Sequence, residues 1–226
     1  MEEDTKLAFT LFPGNVNQKM QDCQLDAVLL DFGGVLAEEG FATGLKALAL
    51  AHGRGEDEIW RAGLQAVWDS GYVHGRARED EFWALFKKRT GLAGDEGVWR
   101  EDILSRFEVR PWMLTVVDRL RDLGLVAALL SDQTDWLELL DSRQGFFKHF
   151  NEIFNSFDHG LTKQDSGFFR VALAELGAAP GRTLFVDDNA GNVERARALG
   201  LVAILYEDRE GFERELARLC PAAFKG

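Results

Sequence analysis

The sequence has no apolar run long enough to cross a bilayer, only two cysteines, and fewer basic than acidic side chains. Each shortage excludes something. A spanning helix needs about 20 consecutive apolar residues, so no membrane partner is expected. The acidic start, Met-Glu-Glu-Asp, is followed by no long apolar stretch and argues against a signal peptide. Twenty-six Lys and Arg against 38 Asp and Glu give a formal charge of -12, which does not fit the basic stripes of a nucleic-acid surface. Cys23 and Cys220 stand near opposite ends of the chain. They are expected to be two free thiols in a reducing compartment, with the protein cytoplasmic. No internal repeat or low-complexity tract is present.

What is there is globular. With 226 residues, 46% of them hydrophobic, the chain suffices for one α/β domain carrying an insertion. Five short apolar segments read as strands: 27–32, 125–131, 152–156, 183–187 and 201–206. Their near-continuous hydrophobicity fits strands covered on both faces. Helical patterns follow over 112–123, 168–176 and 193–199. The first places Met113, Val116, Val117, Leu120 and Leu123 on one face, with Pro111 at its start and Gly124 at its stop.

The stretch between the first two strands is different. Residues 37–110 show no strand pattern but four amphipathic stretches, 41–51, 56–68, 79–89 and 95–107. One crossover needs far less chain. The expected fold is therefore α/β: a Rossmann-like parallel five-stranded sheet flanked by helices, with an inserted α-helical subdomain. The core takes residues 26–36 and 111–226, the insertion takes 37–110, and residues 1–25 form an N-terminal arm. Trp60, Trp68, Trp83 and Trp99 in the insertion read as its core.

In open α/β sheets ligands bind beyond the carboxyl ends of the strands. Asp31 ends the first strand in "LLDFGGVL"; Ser131 and Asp132 end the second; Asp187 and Asp188 end the fourth in "LFVDDNAGN"; and Lys163 follows the third in "HGLTKQD". Adjacent carboxylates repel, and a hard cation such as Mg²⁺ resolves the conflict with oxygen ligands. Lys163 adds a fixed charge and Ser131 a hydroxyl. The Phe32-Gly33-Gly34 loop offers backbone N–H groups that no Cβ shields at the glycines. This is the donor set of a phosphate site.

These motifs resemble the haloacid dehalogenase-like hydrolase superfamily over about residues 25–220, with a helical cap after the first strand. The paired acids Asp187-Asp188 resemble the subgroup that holds β-phosphoglucomutase and many small-metabolite phosphatases. The resemblance implies a Mg²⁺-dependent phosphatase of small phosphorylated metabolites, monomeric or homodimeric. By it, Asp31 is the nucleophile that becomes a phosphoaspartate, and Ser131 and the Phe32-Gly33-Gly34 loop bind the phosphoryl group. Lys163 stabilises its charge, while Asp31, the Gly33 carbonyl, Asp188 and Asp187 serve the metal.

The sequence departs from the family pattern at Asp132, at Gln164 after the lysine, at Asn192, and above all at Gly33. There the family's phosphatases carry a second aspartate, the general acid and base. Glu38, Glu39, His74 and His159 are substitutes to be weighed, and Arg54, Arg76 and Arg78 are candidate cap contacts to substrate. Two other activities stay open: a metal-independent 2-haloacid dehalogenase, and a weakly catalytic phosphate- or metal-binding regulatory protein.

Overall fold

The computed structural model describes residues 23–224; of the expected N-terminal arm, only Cys23–Leu25 fall among them. Five parallel strands, β1 (Ala27–Leu30), β2 (Val126–Ser131), β3 (Glu152–Asn155), β4 (Thr183–Asp187) and β5 (Val202–Leu205), form one sheet in the order β3-β2-β1-β4-β5. Register is set by Ala27, which pairs with Val126 on one side and Thr183 on the other. β1 is thus central and every residue of it is buried. The alternation of a strand then divides two cores. Val28 and Leu30 belong to one apolar cluster, and Leu29 joins Phe154, Phe168, Phe169 and Phe185 in the other.

The helices, in chain order, are α1 (Gly40–Ala51), α2 (Glu56–Asp69), α3 (Glu79–Thr90), α4 (Glu96–Leu104), α5 (Pro111–Asp122), α6 (Trp136–Gln144), α7 (Ser156–His159), α8 (Ser166–Glu175), α9 (Ala190–Ala198) and α10 (Arg209–Leu219). The expected helices are present with ends displaced by up to three residues. α6, α7 and α10 were not anticipated. α6 carries a weak amphipathic signal, because its apolar residues crowd its start. α5 buries Met113, Val116, Val117 and Leu120, begins on Pro111 and is followed by Gly124 at φ 92°, as its sequence predicts.

Helices α1–α4 interrupt the chain between β1 and α5. Their two connections to the sheet run side by side: the Glu38 N–H donates to the Glu108 carbonyl (2.9 Å) and the Arg110 N–H to that of Leu36 (2.9 Å). Arg110 locks the pair. Its guanidinium holds both Glu38 oxygens (2.8 and 2.9 Å) and the carbonyls of Gly34 (2.8 Å) and Val35 (2.9 Å). Aromatic side chains fasten the helices to the sheet side. Trp136 of α6 packs against Phe41, Tyr72, Phe82 and Trp83. The Ser156 hydroxyl is shared between the carbonyls of Val73 (2.8 Å) and Gln133 (3.0 Å).

The two cysteines correct the sequence reading. They are joined as a disulfide across 197 residues, not free. The reason is topological: the run into β1 lies beside the end of α10, where the Gln24 N–H donates to the Leu219 carbonyl (3.0 Å). No helix among the described residues is long and apolar enough to cross a membrane. Closing so long a loop restrains the unfolded chain, so Cys23→Ala with Cys220→Ala is expected to lower stability by about 2–4 kcal/mol. Urea unfolding with and without reductant measures it; reductant should move the wild type alone.

Candidate functional site

Four chain segments converge beyond the carboxyl ends of β1, β2 and β4. Asp31 is the first residue after β1, and its N–H still donates to the Val186 carbonyl (2.9 Å). Its Oδ1 accepts from the Phe32 N–H (2.7 Å), from the Ser131 hydroxyl (3.0 Å) and from Lys163 Nζ (2.7 Å). Lys163 Nζ also donates to Asp187 Oδ2 (2.7 Å). It is 2% exposed and Asp187 fully buried, so one ammonium bridges two buried carboxylates.

Lys163 comes from the loop after α7, where its own N–H donates to Asp132 Oδ1 (2.8 Å). Its carbonyl accepts from Arg195 Nε (2.8 Å). Asp132, expected at the crevice and as a departure from the family pattern, thus shapes the loop that delivers the lysine. Asn192 has a comparable task. Its Nδ2 donates to both oxygens of Asp187 (3.1 and 3.0 Å), and its Oδ1 accepts from Arg195 (2.6 Å). With the Asn189 N–H on Oδ1 as well (2.7 Å), Asp187 has no idle oxygen. Asp188 is the freer acid of the pair.

Asp31, Asp187 and Asp188 each offer an oxygen within 4.8 Å of the others. Three hard oxygen donors at that spacing, balanced by one ammonium, fit a divalent cation. Gly34 makes room for this. It adopts φ 81°, and a Cβ there would stand 2.1 Å from Asp188 Oδ2, so any side chain would displace the acid. Gly33 is unlike it: a Cβ would meet Phe107 Cε1 at 3.5 Å and Gln133 Nε2 at 3.7 Å, ordinary contacts. The backbone does not demand glycine at position 33.

The charges respond to burial. Burial pushes the Asp31 carboxyl up; Lys163 pulls it back, and Asp187 and Asp188 push it further, to about 8. Burial also raises Asp132 and Asp188. For Lys163, burial works against the charge, yet Asp31, Asp187 and Asp132 outweigh it and hold the ammonium above its usual range.

A cavity of about 320 Å³ opens from Asp31, Ser131, Lys163 and Asp188 toward α1 and α2. It sorts the substitute acids. Glu38 is turned to Arg110, whose hydrogen bonds hold its carboxyl below the usual range. His74 lies edge-on to Trp68 (5.4 Å), and burial lowers it. His159 packs between Phe154 and Phe168. Glu39 alone of the four lines the cavity; its Oε2 caps α1 by accepting from the Ala42 N–H (2.7 Å). Burial lifts its carboxyl above the usual range, that N–H opposing in part. The three candidate arginines do not line the cavity: Arg54 is bound to Glu58 and the Thr90 carbonyl, Arg78 to Asp80, and Arg76 reaches the Gly160 carbonyl at 3.5 Å. Trp83 and Trp99 are core, as expected, but Trp60 and Trp68 line the cavity. Gln133 lines it too and was not singled out from sequence; its place directly after Ser131-Asp132 was the available signal.

Residues 25–200 match the haloacid dehalogenase-like hydrolase family, and the chain belongs to it. Phosphoserine phosphatase of Thermus thermophilus is 28% identical over 207 residues, 81% of each chain. Drimenol cyclase of Aspergillus calidoustus is 27% identical over 158 residues, 68% of this chain. The match spans 30% of that cyclase and 24% of bifunctional epoxide hydrolase 2 of Rattus norvegicus. Among solved structures, a family enzyme of Bacteroides thetaiotaomicron superposes with TM-score 0.68 at 20% identity, covering 84% of this chain and 98% of that one. L-2-haloacid dehalogenase of Xanthobacter autotrophicus gives 0.60 at 22%, covering 88% and 86%. These likenesses show a common fold.

The raised Asp31 carboxyl carries a sign for stability. The folded, metal-free protein keeps a proton that the unfolded chain releases near pH 4. Its contribution is therefore complete below about pH 4 and is lost as pH rises toward about 8. Urea unfolding in EDTA should show stability falling across that window by up to about 1.4 kcal/mol per pH unit, and Asp31→Asn should flatten the slope.

Proposed function

We propose that the protein is a Mg²⁺-dependent phosphatase of small phosphorylated molecules, acting through a phosphoaspartate on Asp31, with residues 37–110 as the cap over the site. The observation that carries this reading is the meeting of Asp31, Asp187 and Asp188 around one buried lysine. A Mg²⁺ complex with inorganic phosphate of the Bacteroides enzyme supports the choice of ion, and the Thermus relative supports the choice of reaction. The paired acids Asp187-Asp188 support the double-acid, helical-cap subgroup.

Asp31, Asp188 and the Gly33 carbonyl would hold the ion, with Asp187 behind them through water. The ion supplies charge neutralisation at the phosphoryl oxygens and among the carboxylates. Ser131 and Lys163 bind and stabilise the phosphoryl oxygens once substrate displaces their bonds to Asp31. Asp31 attacks phosphorus in line, and water then hydrolyses the aspartyl phosphate at phosphorus. The cap excludes bulk water and supplies the contacts that choose the leaving group.

Gly33, standing where the family carries a second aspartate, cannot itself donate a proton; among the described residues Glu38 is held by Arg110, and Glu39, which lines the cavity, has Oε2 engaged at the α1 cap. Such an acid typically contributes about 10²–10⁴-fold, and its loss is felt most by poor leaving groups. The dehalogenase reading needs no metal and leaves the convergence of Asp188 on Asp31 without a task.

Two experiments test the proposal. Hydrolysis of p-nitrophenyl phosphate and acetyl phosphate should require both Mg²⁺ and Asp31, with Asp31→Asn lowering kcat at least about 10³-fold; metal-free turnover of a 2-haloacid would instead select the dehalogenase, and Mg²⁺-dependent phosphate binding without turnover the regulatory reading. Because position 33 has room for a side chain, Gly33→Asp should raise kcat/KM for alkyl phosphates by about 10²-fold while changing acetyl phosphate far less. An equal gain on both substrates would refute the missing-acid argument.

A further inference from the structure

The wall of the cavity that faces the phosphate pocket has a chemistry of its own. α1 and α2 present Phe41, Trp60, Leu64, Val67 and Trp68, and α6 adds Trp136. The polar atoms of this wall are withdrawn. The indole Nε1 atoms of Trp60 and Trp136 are buried, with no hydrogen-bond partner among the described residues. The Tyr72 hydroxyl is given to Asp135. Among the described residues no arginine or histidine lines the cavity, and Lys163 is the one cation that does, at the phosphate end. A carboxylated leaving group would find no counter-charge on this wall, and a polyhydroxylated one would lose water along it, the polar lining residues Glu39, Gln133 and Thr134 lying outside it.

Gly33 points the same way by a different route. With glycine at position 33, no side chain there hands a proton to the leaving oxygen, which departs carrying the electron pair of the broken bond. A phenol ionises near pH 10, as tyrosine does (about 10); an aliphatic alcohol holds its proton far more tightly, so its oxygen needs help.

From these two observations we infer that the substrate is an aryl phosphate monoester whose ring packs against the tryptophan and phenylalanine wall. The inference rests on the phosphatase reading above. Asp31 forms its bond to phosphorus as the bond from phosphorus to the aryl oxygen breaks. The pair leaves on the phenoxide, which is protonated by water. Water then attacks the aspartyl phosphate, so the products are a phenol and inorganic phosphate, with Asp31 restored. Offset or edge-on stacking of the ring supplies the affinity.

The test compares kcat/KM in Mg²⁺ for 1-naphthyl phosphate, cyclohexyl phosphate, glucose 6-phosphate, O-phosphoserine and acetyl phosphate. The cyclohexyl ester is apolar but a poor leaving group; the sugar and serine esters are polar; acetyl phosphate is activated but too small to fill the wall. 1-Naphthyl phosphate should exceed cyclohexyl phosphate and glucose 6-phosphate by about 10²-fold or more, with a KM at least about ten-fold below that of acetyl phosphate. Trp60→Ala should cut the naphthyl-to-acetyl ratio by about ten-fold.

Turnover of acetyl phosphate with glucose 6-phosphate or O-phosphoserine matching the naphthyl ester overturns the aryl inference and leaves the phosphatase reading standing. Absence of Mg²⁺-dependent turnover for every compound, acetyl phosphate included, overturns the phosphatase reading and the aryl-ester reaction together. Calorimetric titration with 1-naphthyl phosphate and glucose 6-phosphate then reads the wall's preference directly, and equal affinity for the two would overturn that as well.

Discussion

One ammonium group organises this molecule's chemistry. Lys163 lies between Asp31 and Asp187 at 2.7 Å from each, almost wholly buried. Burying these groups is costly; pairing and hydrogen bonds offset part of the cost, and without metal Asp31 keeps its proton up to about pH 8. Asp187 is held by Lys163, Asn192 and the Asn189 N–H; the lysine's own backbone is held by Asp132 and Arg195. The result is a frame in which the Asp31 bonds all fall on Oδ1 and Asp188 stands free of the lysine's hydrogen bonds. A frame built this way is pre-organised for a charged ligand, which is what electrostatic catalysis asks of a protein.

The helical insertion is tied to that frame at two kinds of contact. At its base, Arg110 clasps the two connecting strands of chain and reaches the carbonyls of Gly34 and Val35, within three residues of Gly33. Over the crevice, Trp136 and the Ser156 hydroxyl connect the sheet side to α1, α3 and the turn at Val73. The aromatic side chains that pack the insertion are continuous with those that line the cavity. The same residues thus build the insertion and set what its cavity accepts.

Gly34 and Gly33 illustrate why neighbouring glycines need separate explanations. Gly34 is required by a positive φ and by the Asp188 carboxylate pressed against it. Gly33 has neither constraint, so no backbone need accounts for its glycine. That distinction turns a departure from the family pattern into a statement about leaving groups.

Much of this was legible in the sequence. The near-continuous apolar runs around Leu29 and Phe185 marked the strands, because strands buried on both faces leave no polar alternation. Asp31, Ser131, Lys163, Asp187 and Asp188 were found because strand ends in a parallel sheet share one edge. α6 was missed because its apolar residues crowd its start; α10 was missed although Phe212, Leu216 and Leu219 stand at helical spacing. The disulfide was misread, since separation along the chain says nothing about whether the run into β1 lies beside the end of α10.

The sequence by itself determined the fold class, the five strands and the charged residues at their carboxyl ends, because local patterns and strand topology suffice for those. Only the tertiary structure decided which charges pair, that Glu38 serves Arg110 while Glu39 caps a helix, and that Trp60 and Trp68 line a cavity instead of filling a core. These depend on how the insertion packs onto the sheet, through contacts between residues far apart in the chain that no local pattern encodes.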